Sequence, residues 1–279
     1  MQLKKRMLSL AAATATLIFA SSAQAAPQTS TIAAAGGPIR ITAIFHASTQ
    51  IEYRGRVIDI DPVSAGRYTK KADIILVTHT HPDHFDPIAI DKVRAPFARL
   101  VAPLQVIEPY RQLRRPLGLY PMKNGSTLNF KARNATGAPI RIRIEAVPAY
   151  NLVRGPKPGL KFHPKGQFNG YVLTLGGKRI YIAGDTEATP EMKKLKNIDA
   201  AFLPMNLPYT MTPQEAARAA RAFRPRIVFP YHFRFPFNKA NTNPQQFQSA
   251  LRGTRIQVRI LDWYPAQSVA RAMATMGKH

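Results

Sequence analysis

Residues Val77–Asp86 read VTHTHPDHFD, and they bring three of the chain's seven histidines together with two aspartates, while Pro82 bends the backbone among them. The preceding segment, Asp73–Thr78, is a short, continuous apolar run. Such a run marks a strand covered on both faces. It delivers the chain straight into the cluster. On an extended backbone His79 and His81, two apart, point to one side. Pro82 then turns the chain so that Asp83 and His84 approach the same volume. Imidazole nitrogen with carboxylate oxygen suits zinc, manganese or ferrous iron. One ion rarely needs so many ligands from a single turn, whereas two ions can share a hydroxide whose proton is lost near neutral pH.

Composition narrows the setting. The chain has 279 residues, 45% of them hydrophobic, which is ample for a sizeable core. There is no cysteine, so disulfides, thiolate metal sites and cysteine nucleophiles are excluded. Lys4, Lys5 and Arg6 precede an apolar run from Met7 to Ala20, and Ala23-Gln24-Ala25 closes the segment. This is the layout of a secretory signal peptide cleaved after Ala25, so a periplasmic or secreted protein is expected. Residues 26–37 read as a flexible leader, and residues 38–279 as one domain without a transmembrane segment. Forty basic residues against 15 acidic ones give a formal charge of +25. Such a field favours anionic partners without naming one.

Strands are expected at Ile39–Phe45, Thr49–Tyr53, Arg56–Ile60 and Arg99–Ala102 in the first half. The second half offers Thr127–Lys131, Ile140–Val147, Tyr171–Leu175, Arg179–Ala183, Ala200–Leu203, Arg226–Pro230 and Gln257–Leu261. Helices are expected at Pro87–Val93, Leu104–Leu113, Pro190–Leu195, Pro213–Phe223 and Pro244–Leu251. Thr212 and Asn243 stand as caps before a proline in the first turn of two of them. The loop from Asn151 to Asn169 is long enough to be functional.

His79-Thr-His81-Pro-Asp83-His84 resembles the H-x-H-x-D-H signature of the metallo-β-lactamase superfamily. Further along, Arg179–Thr186 is similar to that family's strand ending in Gly-Asp-Thr, and Pro230-Tyr-His232 to its last ligand. Val57–Pro62 resembles the early strand whose aspartate supports the site. The resemblance spans residues 39–265 and implies a single-domain α/β fold, a four-layered αβ/βα sandwich. It implies two divalent ions, with zinc expected and manganese or iron(II) as alternatives. His79 and His81 would hold the first ion, Asp83, His84 and His232 the second, and Asp185 would bridge. Asp61 would orient ligating imidazoles from behind.

One position departs from the pattern. Tyr150 stands where the family usually has a histidine before Gly-Asp-Thr, so Tyr150 either packs beside the site or binds weakly. His163 is the candidate to fold back and fill the place. His46, at the end of the first strand, is similar to a histidine of the lactonase-like and N-acyl-phosphatidylethanolamine phospholipase D-like branch, and a purely structural role stays open for it.

The implied activity is hydrolysis of an ester, lactone, amide or phosphodiester in a small or lipid-derived substrate by a metal-bound hydroxide, with Asp83 handling the nucleophile's proton. Asn206 and Tyr209 are expected to line the cleft. A phosphodiesterase or nuclease acting on polyanions, and a non-catalytic metal- or polyanion-binding protein, are the rival readings.

Overall fold

The apolar run before the histidines forms β5 (Ala72–Leu76), and its side chains divide between two interiors. Ile74 and Leu76 face a core shared by two sheets, while Ile75 and Val77 face helices. Burial on both sides is what a continuous apolar run requires. In the computed structural model, which describes residues 28–113, 117–234, 237 and 242–276, β5 sits inside the first of two seven-stranded sheets. The expected signal peptide, residues 1–25, lies outside the described residues.

The first sheet runs in sequence order through β1 (Thr29–Ile32), β2 (Ile39–Phe45), β3 (Ser48–Tyr53), β4 (Arg56–Ile60), β5, β6 (Arg94–Ala102) and β7 (Gly118–Pro121). Strands β4 to β7 are parallel, with Ile58 beside Ile74 and Ile60 beside Leu76. The second sheet is ordered β14 (Gln257–Val258), β13 (Ile227–Tyr231), β12 (Ala200–Pro204), β11 (Lys178–Ile182), β10 (Phe168–Leu175), β9 (Pro139–Ala149) and β8 (Thr127–Arg133). Here β11 to β14 are parallel and β8 to β10 antiparallel.

The sheets face each other across Ile41, Ile58, Leu76, Ile144, Phe202 and Trp263. Helices α1 (Pro87–Val93) and α2 (Leu104–Gln112) cover the outside of the first sheet. Helices α3 (Pro190–Lys193), α4 (Pro213–Phe223) and α5 (Pro244–Ala250) cover the outside of the second. This is the expected αβ/βα sandwich. Each large apolar side chain buried in these layers contributes about 1.5–3 kcal/mol before entropy is counted. Helix α4 begins on a full capping box: the Glu215 backbone N–H donates to Thr212 Oγ1, and the Thr212 N–H donates back to Glu215.

Three elements were not anticipated. Residues 26–37, expected as a flexible leader, contain β1, which pairs antiparallel with β2, Thr29 opposite Thr42. Strand β7 extends the first sheet beyond Leu117. Helix α6 (Ala266–Met276) packs Ala272, Val269 and Met273 against Phe45 and Val63. Its alanine-rich sequence carries too narrow an apolar stripe to announce itself. No helix of the described residues is long and apolar enough to cross a membrane.

Candidate metal centre

Parallel strands of both sheets end on one edge, and the polar residues that follow them meet there. This is where open α/β sheets place their sites. His79 follows β5, Asp61 follows β4, Asp185 follows β11 and His232 follows β13. Asp61, His232 and His46 all have positive φ, at 46°, 50° and 57°. Positive φ is costly for residues with a side chain, and its concentration here indicates that the site imposes the conformation. Gly184, before Asp185, has φ 65°, and a Cβ there would stand 3.1 Å from Asn169 O and from Thr78 Cβ, so glycine alone fits.

The supporting hydrogen bonds determine where the ring protons lie. Asp61 is fully buried and accepts from the Thr78 N–H at 2.7 Å and the Thr78 hydroxyl at 2.8 Å. His84 Nδ1 stands 2.8 Å from Asp61 Oδ2, the oxygen that also accepts the Thr78 hydroxyl, and must donate to the carboxylate. The Thr78 hydroxyl, having given its proton to Asp61, accepts from His79 Nδ1 at 3.0 Å. His163 Nδ1 donates to Asn151 Oδ1 at 2.6 Å. In each ring the Nδ1–H is used, so only Nε2 of His79, His84 and His163 is left to offer a lone pair to the common space.

Around that space the donors are closely spaced. His79 Nε2 lies 3.1 Å from His81 Nδ1, and His84 Nε2 lies 3.0 Å from His232 Nε2. Asp185 Oδ1 stands 3.5 Å from His84 and 3.3 Å from His232, while its Oδ2 stands 3.4 Å from His163. Asp83 Oδ2 is 3.4 Å from His232 Nε2 and 3.7 Å from His84 Nε2. Nitrogens bound to one zinc at 2.0–2.1 Å in a tetrahedron stand about 3.3 Å apart, so these spacings fit shared cations. His163 Nε2 and Asp185 Oδ1 are buried with no hydrogen-bond partner. Leaving such atoms unpaired is costly unless an ion satisfies them.

Charge reinforces the fit. Burial, with His232 beside it, pushes His46 down to about 3, and burial pushes His163 down to about 4. Burial and the surrounding imidazoles hold His79 well below the usual range. These rings are neutral at physiological pH. His84 departs from this: burial alone would lower it, but Asp185, Asp83 and Asp61 together push it up to about 10. Three buried or half-buried carboxylates in so basic a chain stabilise positive charge, and a divalent ion answers them better than one proton.

Among the described residues, three groups of three stand close enough to share a cation, and His79 belongs to two of them. His79, His81 and His163 converge on one side, and Asp185 reaches from His163 to His84 and His232 on the other. His163 therefore stands where the sequence left a choice. Tyr150 does not: its hydroxyl donates to Glu191 Oε2 on α3 at 3.0 Å, and only its backbone touches Thr186 next to Asp185. Neither Asn206 nor Tyr209 is among the residues that line the cleft beside Asp83. Tyr209 packs on Phe162, ring centroids 4.9 Å apart, and its carbonyl accepts from Asn151 Nδ2 at 2.9 Å, bracing the loop that carries His163.

His46 belongs to the site, which its surroundings in sequence left open. The Tyr264 hydroxyl accepts from the backbone N–H groups of Phe233 and Arg234, both at 2.9 Å. Its own proton is then free to go to His46 Nδ1, 2.9 Å away. That leaves the Nε2–H of His46 to donate to Asp83 Oδ2 at 3.2 Å. His46, Asp83 and His232 do present atoms close enough for a cation. The Tyr264 contact instead makes His46 the donor that fixes Asp83. A short sequence motif carries no trace of Tyr264 or of Asn151, since each acts through a contact made only in the fold.

Facing mixed sheets with a histidine and carboxylate cluster at their shared edge define an α/β-sandwich metallohydrolase. A sequence profile of the β-lactamase superfamily domain matches residues 41–233. A UPF0173 metal-dependent hydrolase of Polynucleobacter asymbioticus is 31% identical over 286 residues, covering 92% of this chain and 95% of its own. Another, from Ligilactobacillus salivarius, is 32% identical over 216 residues, covering 74% of this chain and 90% of its own. Among solved structures, a Parabacteroides distasonis protein described as a metal-dependent hydrolase superposes with TM-score 0.70 at 40% identity, over 84% of this chain and 98% of that one. Igni18, a metallo hydrolase of Ignicoccus hospitalis, shares the fold with TM-score 0.62 at 24% identity, over 81% and 96% of the two chains. The chain belongs to the β-lactamase superfamily and is one of its metal-dependent hydrolases.

Proposed function

We propose that the protein is an exported hydrolase with two divalent ions, zinc by the nitrogen and oxygen donor set, that cleaves an ester, lactone or phosphodiester bond in a small or lipid-derived substrate. The observation that carries this reading is the placing of Asp185, whose two oxygens face opposite halves of a cluster of lone-pair-bearing imidazoles. His79, His81 and His163 would hold one ion, and Asp83, His84 and His232 the other. Bound divalent ions supply Lewis acidity and acidify water near neutral pH.

The chain's own residues do the rest. Burial alone would raise Asp83, but His84, His232 and the His46 donor hold its carboxylate well below the usual range, so it is ionised. His46 fixes the plane of that carboxylate. Asp61 and Asn151 keep Nδ1 protonated on His84 and His163, so neither ring can turn without losing a partner. The basic cavity of 640 Å³ lined by Lys178, Arg179, Lys196, Arg224 and Arg226 lies where β11 and β13 begin, at the opposite edge. That placement favours a compact substrate over a nucleic acid.

The test compares zinc-loaded parent and Asp185→Asn on lactone, carboxylic ester and phosphodiester substrates. The expected result is turnover by the parent on at least one class and loss of about three orders of magnitude in the variant, the scale of removing a principal charge-stabilising group. Equal activity in both would overturn the reading. Export is tested by sequencing the amino terminus of the protein recovered outside the cytoplasm, which should begin at Ala26.

A further inference from the structure

Phe45, Val63, Ala65, Pro82, Phe237 and Ala272 line a cleft of 370 Å³, and the Asp83 carboxylate stands in the same wall. Phe45 and Phe237 meet edge to face at 4.8 Å, and the Phe237 ring lies 5.0 Å from His46. His46 in turn holds Asp83, so the cleft opens directly onto the metal centre. Its other carboxylate, Asp86, is already engaged. One oxygen accepts from the Ser64 N–H at 2.8 Å, and the other caps α1 through the N–H groups of Ile88 and Ala89. A sugar or a second charged group entering here would lose water and find few partners. An unbranched hydrocarbon chain would lose nothing, and each methylene buried is worth about a fourfold gain in binding.

We propose that this cleft binds the apolar acyl chain of the substrate, so that the bond cleaved is the ester or lactone of a medium-chain fatty acid. The proposal rests on the hydrolase reading above and adds the substrate class to it. Hydrolysis adds water across the acyl C–O bond: the carbonyl carbon takes the hydroxyl, the leaving oxygen takes the remaining proton, and no oxidant or reductant is required. Helix α6 supplies the outer wall through Ala272 and Thr275, and so sets how long a chain fits.

The experiment uses the zinc-loaded full chain and the p-nitrophenyl esters of acetate, butyrate, hexanoate and octanoate. The expected kcat/KM rises about two- to fourfold with each added methylene. Ala272→Phe and the more exposed Thr275→Phe should each cut the octanoyl-to-acetyl ratio at least tenfold while their Tm stays within a few degrees of the parent. Calorimetric titration with sodium octanoate reads the cleft without turnover, and binding should be seen in the parent and lost in Ala272→Phe. A flat chain-length series, or a ratio that neither variant moves, overturns the proposal. If no ester is turned over, the acyl-ester assignment is overturned, and the hydrolase reading is decided separately by the lactone and phosphodiester assays above. Octanoate binding that Ala272→Phe abolishes then still supports the cleft, and its absence overturns the cleft as well.

Discussion

The candidate metal centre draws its side chains from two halves that are built in opposite ways. His79, His81, Asp83 and His84 come from one turn at the end of β5, and Thr78 and Asp61 hold that turn from directly behind. His163, Asp185 and His232 come from a long loop, a glycine turn and a strand end of the other sheet. The first half needs only local chain and one neighbouring strand to take its shape. The second needs the two sheets to have packed and the Asn151–Asn169 loop to have closed. The ligands of a site can thus differ in what secures them even when they meet within a few ångströms.

Substitutions at the points where each half is secured separate the two constructions. Asp185→Asn touches both proposed ion positions, and its loss of about three orders of magnitude in turnover should be the largest of the series. His163→Ala opens only the loop-borne side, so the protein should keep the ion held by Asp83, His84 and His232, as mass spectrometry under native conditions would show. Asn151→Ala leaves His163 present but free to turn, and metal affinity at that side should fall about 10–100-fold in a chelator competition. Asn151→Asp keeps an acceptor for Nδ1–H and should recover much of that loss. Tyr264→Phe removes the proton donated to His46. It should lower kcat about tenfold with little change in metal content, and it should shift the acid limb of the pH–rate profile, which a purely packing role for Tyr264 would leave in place.

The smallest expected effect concerns stability and contrasts two carboxylates of one strand. Asp61, past the end of β4, accepts from Thr78 and His84, whereas Asp59, two residues earlier, is buried with a single donor, Gln50 Nε2 at 2.9 Å. Burial pushes Asp59 up to about 7. Its folded form therefore binds its proton more tightly than the unfolded chain does. The stability this confers is complete below the unfolded value and is lost as pH rises through about 7. Asp59→Asn, which can still accept from Gln50, should raise Tm by a few degrees at pH 8 and by clearly less at pH 5. The same gain at both values would contradict the assignment.

The comparison also explains what could be read from the residues alone. The contiguous half was legible because H-x-H-x-D-H depends on local backbone, and β5 because a run buried on both faces has few other uses. Asp185 and His232 became legible through the order of their motifs behind that signature. His163 could be named only as a candidate, because its position depends on Asn151 bridging to Tyr209 across 58 residues. His46 and Tyr264, 218 residues apart, share one hydrogen bond that no spacing could suggest. Strand β1 and helix α6 escaped for a related reason, since their short or alanine-rich sequences gain their structure from the neighbours they pack on.

Metal content per chain tests the central claim most directly. After zinc loading and gel filtration, elemental analysis of the parent should give two ions per chain and of His163→Ala one. A parent that retains none or one, or a His163→Ala protein that still holds two, would contradict a centre of two ion positions that meet at Asp185.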